Sequence, residues 1–106
     1  MPSARREALD ALATISVSPK RMVIVDYLAE NPQPQRRGFT EIRRRVEDVL
    51  GREITDGSLT HHLNTLARYK VLGNNPNEGW YITKLGLRIS GTVKKLLEDL
   101  ETESAR

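Results

Sequence analysis

The chain has 106 residues, of which 38% are apolar, with one Phe, one Trp, three Tyr and a formal net charge of +3 at pH 7. That length suits one domain with a small aliphatic core, and the positive balance favours an anionic partner without dictating a fold. The lack of cysteine excludes a disulfide framework, a thiolate metal site and a cysteine nucleophile. No apolar run approaches the roughly 20 residues of a membrane span, and no leader-type apolar segment follows the N-terminus. A soluble, cytoplasmic protein is therefore expected.

Charge is unevenly spread. Residues 36–70 carry eight Lys or Arg against five acids, whereas 96–106 carry four acids and one Arg. The basic surface is thus expected in the middle of the chain.

In chain order, Ala4, Ala8, Leu9, Leu12 and Ala13 with interspersed charges predict a weakly amphipathic helix over residues 3–14, which Ile15 and Val17 extend. Ser18-Pro19 is a start signal, a cap followed by proline at the first helical position. Ile24, Val25 and Leu28 form the inward stripe of a helix running to about Asn31. The segment 31–38, NPQPQRRG, is turn chemistry and predicts a loop. Phe39 follows as an anchor, Thr40 as an N-cap, and Ile42, Val46, Val49 and Leu50 as the buried side of a third helix that Gly51 ends. Ile54 is expected to plug the turn into the next helix.

That next helix, residues 56–69, divides cleanly at about 100° per residue. Leu59, Leu63 and Leu66 share one stripe. His61, Asn64 and Arg68 lie opposite, flanked by Thr60, Thr65 and Ser58. Thr55 or Asp56 supplies the N-cap, and Gly57 and Ser58 keep the helix start slim, as close approach to a phosphate or base edge requires. His61 and His62 are neighbours and point about 100° apart, so they do not converge on one metal ion. His62 falls nearer the leucines and is expected to pack.

Residues 73–79, GNNPNEG, predict a hairpin tip between a short strand at 70–73 and the aromatic strand WYIT, in which Trp80 and Tyr81 point to opposite faces. Thr83 caps a last helix whose Leu85, Ile89, Val93, Leu96 and Leu100 recur at heptad-like steps. Together with Leu9 and Leu12 they form the expected dimer interface, and Gly86 and Gly91 suit close approach of another backbone. The alternative is that this stripe packs on the first helix of its own chain.

Two helices joined by a short Gly-containing turn, followed by a hairpin, predict a mainly α fold with a small β-hairpin: a winged helix-turn-helix with added terminal helices. Its parts are an N-terminal helix over 1–17, a core over 18–83 with the wing at 73–80, and a C-terminal dimerisation helix with an acidic tail over 84–106. Over about residues 19–90 the chain resembles winged-helix regulators of the ArsR-like class. The likeness is carried by RMVIVDYLAE, by GSLTHHLNTL and by WYITKLG. In that class the arrangement spanning Thr60, His61, His62, Leu63 and Leu66 marks the helix laid in the DNA major groove. The chain departs from the class at Lys70, where glycine is usual, and at Arg43, Arg44 and Arg45, where metal-sensing members place cysteines.

The resemblance implies a homodimeric, sequence-specific reader of double-stranded DNA, by default a repressor. Ser58, Thr60, His61, Asn64 and Arg68 are the candidate base contacts, since Asn suits adenine and Arg suits guanine. Arg36, Arg37, Arg43, Arg44, Lys70 and Lys84 are candidate backbone contacts, and Asn74, Asn75 and Asn77 of the wing are candidates for the minor groove. No cofactor, metal or membrane partner is expected, nor is enzymatic activity, because no phosphate loop or catalytic His and carboxylate set is present. The alternatives are a plasmid-partition or viral DNA-binding protein of the same fold, and a winged-helix adaptor that binds protein.

Overall fold

The computed structural model describes residues 4–30 and 37–104. It is mainly helical, with five helices and one two-stranded antiparallel sheet: α1 (Ala4–Ser16), α2 (Pro19–Ala29), α3 (Phe39–Leu50), α4 (Asp56–Arg68), β1 (Leu72–Asn75), β2 (Gly79–Ile82) and α5 (Lys84–Ser104). Among the described residues no helix is long and apolar enough to cross a membrane.

Helix α2 is the hub. The Ser18 hydroxyl accepts the Arg21 N–H and Pro19 opens the first turn, as the sequence predicts. The helix stops at Ala29, short of Asn31, and it buries Met22, Val23, Ile24, Val25 and Leu28. Four consecutive buried residues point to all sides of a helix, so one inward stripe is too few. The reason is that α1, α3, α4, α5 and β2 all pack around it, the situation of a central helix with little solvent face.

Helix α3 starts two residues earlier than expected. Gly38 occupies the cap position without a side-chain bond and Phe39 opens the helix, so Thr40 is not the N-cap. Ile42 and Val46 are buried, but Val49 is 58% exposed, because Val46 and Leu50 already fill the side that meets the body. Gly51 closes the helix in the left-handed region at φ 68°. Ile54 is buried in the turn, and its N–H is accepted by Glu47 Oε2 at 3.0 Å.

Thr55 caps α4 by accepting the Ser58 N–H at 3.1 Å. At the other end, the Val71 N–H bonds the Leu66 carbonyl and the Lys70 N–H the Ala67 carbonyl. This is a Schellman pair, with Lys70 in the position that glycine usually fills. The chain therefore stays in the α4 exit turn through Val71, and β1 begins at Leu72 rather than at Lys70. The hairpin pairs Leu72 with Ile82 and Asn75 with Gly79. A Cβ at Gly73 would collide with the Tyr81 ring that crosses it. Arg37 adds a bridge on the outer edge of β2, exchanging both backbone hydrogen bonds with Trp80 at 2.8 Å. The expected loop thus ends in a strand-like contact.

Thr83 caps α5 as expected, accepting the Gly86 N–H at 3.0 Å. A Cβ at Gly86 would stand 2.5 Å from the Val71 carbonyl oxygen, so this glycine serves an approach within the chain. Nothing lies within 4 Å of a Cβ at Gly91. Ile89 and Val93 are buried in the same core cluster as Ala11 and Ile15 of α1.

Candidate functional site

One side of α4 is sealed and the other is open. Leu59, Leu63 and Leu66 are completely buried, while Gly57, Thr60, His61, Asn64 and Arg68 are exposed. Thr60, His61 and Asn64 make no side-chain hydrogen bond or ion pair with another described residue. Their hydroxyl, imidazole and amide groups face outward beside a helix start that carries no bulk at Gly57.

The open arc is narrower than the sequence predicts. Thr65 is 8% exposed, and Ser58 is half-buried with its hydroxyl within 3.4 Å of Lys20 Nζ. Both lie on the side covered by α1 and the start of α2. His62 belongs to that side too, as expected of a packing histidine. Its Nδ1 accepts from Arg21 Nε at 2.9 Å, and the same guanidinium donates to the Thr14 carbonyl at 2.9 Å. Accepting at Nδ1 leaves the ring proton on Nε2. Burial, then the Arg21, Lys20 and His61 charges, hold the His62 pKa down at about 4. Arg21 and Lys20 are neighbours of this helix that sequence reasoning missed, because their partners lie 41 and 38 positions away and no local pattern links them.

The candidate backbone contacts fall into two groups. Arg43 is committed inside the chain, paired with Asp56 at the start of α4 and with Glu47 at 3.6 Å. Arg37 is paired with Glu41 at 3.4 Å, and its guanidinium is 5.2 Å from the Tyr27 ring centre. Arg45 lies over the same ring at 4.3 Å and pairs with Glu30 at 2.6 Å. Lys70 reaches Glu7 at 3.5 Å. Arg44 and Lys84, by contrast, are exposed and make no ion pair among the described residues. Arg36 lies outside the described residues.

Arg68 lines a cleft of about 160 Å³ with Tyr69, Lys70, Glu7 and Asp10. Any anion approaching Arg68 also meets two carboxylates of α1, which weakens its case as a base contact. A larger cleft of about 310 Å³ beside the α3–α4 turn is lined by Thr40, Arg43, Arg44, Glu47 and Glu53. On the hairpin, Asn74 and Asn77 are exposed, but Asn75 Oδ1 is used to accept the Asn77 N–H at 3.0 Å and shape the turn.

The expected dimer interface divides in the same way. Leu9 and Leu100 are exposed at 58% and 52%, and Leu12, Leu85 and Leu96 are half-buried against the core. Ile89 and Val93, expected at that interface, are instead interior residues of the protomer, 6% and 0% exposed, with almost no surface to offer a partner.

His61 and His62 ring centres are 5.5 Å apart with planes tilted by 57°, and among the described residues no group of three or more His, Cys, Asp or Glu side chains could hold a metal ion. Compared with protein-family models, curated proteins and solved structures, the chain finds no match.

Proposed function

We propose that this chain is a winged helix-turn-helix protein that binds double-stranded DNA sequence-specifically as a homodimer, with repression of transcription as its default mode. The observation that carries the reading is the open arc of α4: Thr60, His61 and Asn64 are exposed and make no side-chain hydrogen bond or ion pair with another described residue, on a helix whose opposite face is fully buried. A rigidly seated helix with small, unsatisfied polar groups and a slim start is what major-groove readout needs. In this reading α3 and α4 form the helix-turn-helix, β1 and β2 the wing, and Thr60, His61 and Asn64 the base contacts. Arg44 neutralises phosphate, joined by Asn74 and Asn77 at the wing. Arg43 and Arg21 act through α4, the first by pinning its N-terminus and the second by fixing His62. Two copies would present their α4 helices to successive major grooves roughly 34 to 36 Å apart.

Duplex affinity measured against salt tests this. Wild type should show a steep salt slope and a preferred sequence. Asn64→Ala should lose about 1 to 3 kcal/mol of discrimination at one base position while keeping non-specific binding, and Arg44→Ala should weaken all sequences alike. Binding that is absent or indifferent to salt, in a folded chain, rejects the reading.

A further inference from the structure

Six exposed residues of α5 fall on one face at steps of four, four, three, four and four: Lys84, Arg88, Thr92, Lys95, Asp99 and Glu103. Such steps keep a face turned toward a neighbouring helix along its whole length. The step pattern reads the same in both directions, but the charges reverse, from basic in the first half to acidic in the last turns. None of the six makes an ion pair with another described residue. The order also opposes the helix dipole, which favours acids at the N-terminus and bases at the C-terminus.

We infer that this outward face of α5 docks antiparallel on the same face of a second copy, about a two-fold axis between Val93 and Lys94. Lys84 then faces the partner's Glu103, Arg88 the partner's Asp99, and Thr92 the partner's Lys95. Each charged match occurs twice by symmetry. Parallel docking would instead set Arg88 on Arg88 and Asp99 on Asp99, so the pattern selects orientation as well as partner. Antiparallel docking also brings each acidic end beside a positive helix N-terminus. Exposed ion pairs alone contribute little, so apolar contact has to accompany them. Half-buried Leu96 and exposed Leu100 border the face on one side, and on the other Gly91 leaves the backbone bare. This surface differs from the interface expected from the leucine stripe, whose Ile89 and Val93 are interior. The inference rests on the two-copy part of the proposed reading and not on DNA binding.

Sedimentation equilibrium of the full chain without DNA, from micromolar to submillimolar concentration, tests it, with circular dichroism and thermal melts as controls for folding. Wild type should be dimeric. Arg88→Glu and Asp99→Arg should each weaken the dimer by about tenfold or more while remaining folded, and the double variant Arg88→Glu with Asp99→Arg should restore it. A monomeric wild type, single reversals that leave the mass unchanged, or a double variant that stays apart each overturn the proposal. Because no DNA is present, these outcomes are independent of the salt titration that tests duplex binding.

Discussion

Lys70 is the one described residue other than glycine with a positive φ, at 64°. A side chain there crowds the following carbonyl, at a cost of roughly 1 to 2 kcal/mol. What holds it is the turn around it. The Schellman bonds fix Lys70 and Val71, and the Thr83 hydroxyl donates to the Lys70 carbonyl at 2.6 Å. The side-chain contact to Glu7 is long and exposed, so it offsets little. Lys70→Gly should therefore stabilise the protein. Relief of the strain, less the extra freedom glycine gives the unfolded chain, leaves about 0.5 to 1 kcal/mol, seen as a higher denaturation midpoint. Lys70→Val should move the midpoint down, since a β-branched side chain tolerates this conformation least. If Gly and Val variants melt alike, the turn stores no strain. The departure from glycine at this position is visible in the sequence; that the chain keeps the left-handed turn regardless is not, because one of the bonds enforcing it comes from Thr83, 13 residues on.

At the scale of elements, the sequence is most legible where a signal is local. Ser18-Pro19 opens α2, Gly51 closes α3, Thr83 caps α5, and the Leu59, Leu63 and Leu66 stripe of α4 is buried as its period predicts. It is least legible where a third element intervenes. Thr65 lies on the polar side of α4 by periodicity yet is buried, because α1 folds over that flank. Val49 continues the apolar spacing of α3 yet is exposed, because Val46 and Leu50 already fill the side that meets the body. Arg21 belongs to the same class: it ties Thr14 of α1, its own helix α2 and His62 of α4 into one junction, and the bond requires a neutral imidazole. With His62 at about pKa 4 against about 6.5 in the unfolded chain, the unfolded state binds the extra proton between those values. Stability from this group is thus complete above about pH 6.5 and falls as pH drops toward 4. Allowing for solvent around the half-exposed ring, the loss is on the order of 1 kcal/mol. Asp26, pushed up by burial and by Glu30, contributes with the opposite sign, so the comparison needs a variant. His62→Gln keeps an acceptor for Arg21 without titrating, and should show a flatter stability curve from pH 6.5 to 4 in urea titrations. Parallel curves for the two proteins would mean that protonating His62 does not open the junction.

For the whole molecule, the decisive fact is that the terminal helices share one core with the middle. Ala11 and Ile15 of α1 join Ile89 and Val93 of α5 in the same buried cluster as the leucines of α4 and the apolar residues of α2. A reading in which residues 18–83 form the core and the ends serve only for pairing therefore understates them. A chain of this size has little apolar area to spare, and removing α1 and α5 would expose two sides of α2 at once. A fragment of residues 18–83 should lack a cooperative thermal transition, whereas the full chain unfolds in one step. Within the full chain, Val93→Ala should cost about 2 kcal/mol, because the site is sealed and leaves a cavity. Leu100→Ala, at a residue 52% exposed, should change protomer stability by no more than about 0.5 kcal/mol. The contrast is read most cleanly at chain concentrations low enough to keep the protein monomeric, since ligation to a second copy adds stability of its own. A fragment that melts cooperatively, or a Val93→Ala variant as stable as Leu100→Ala, would mean that α5 is an appendage to the core and not a wall of it.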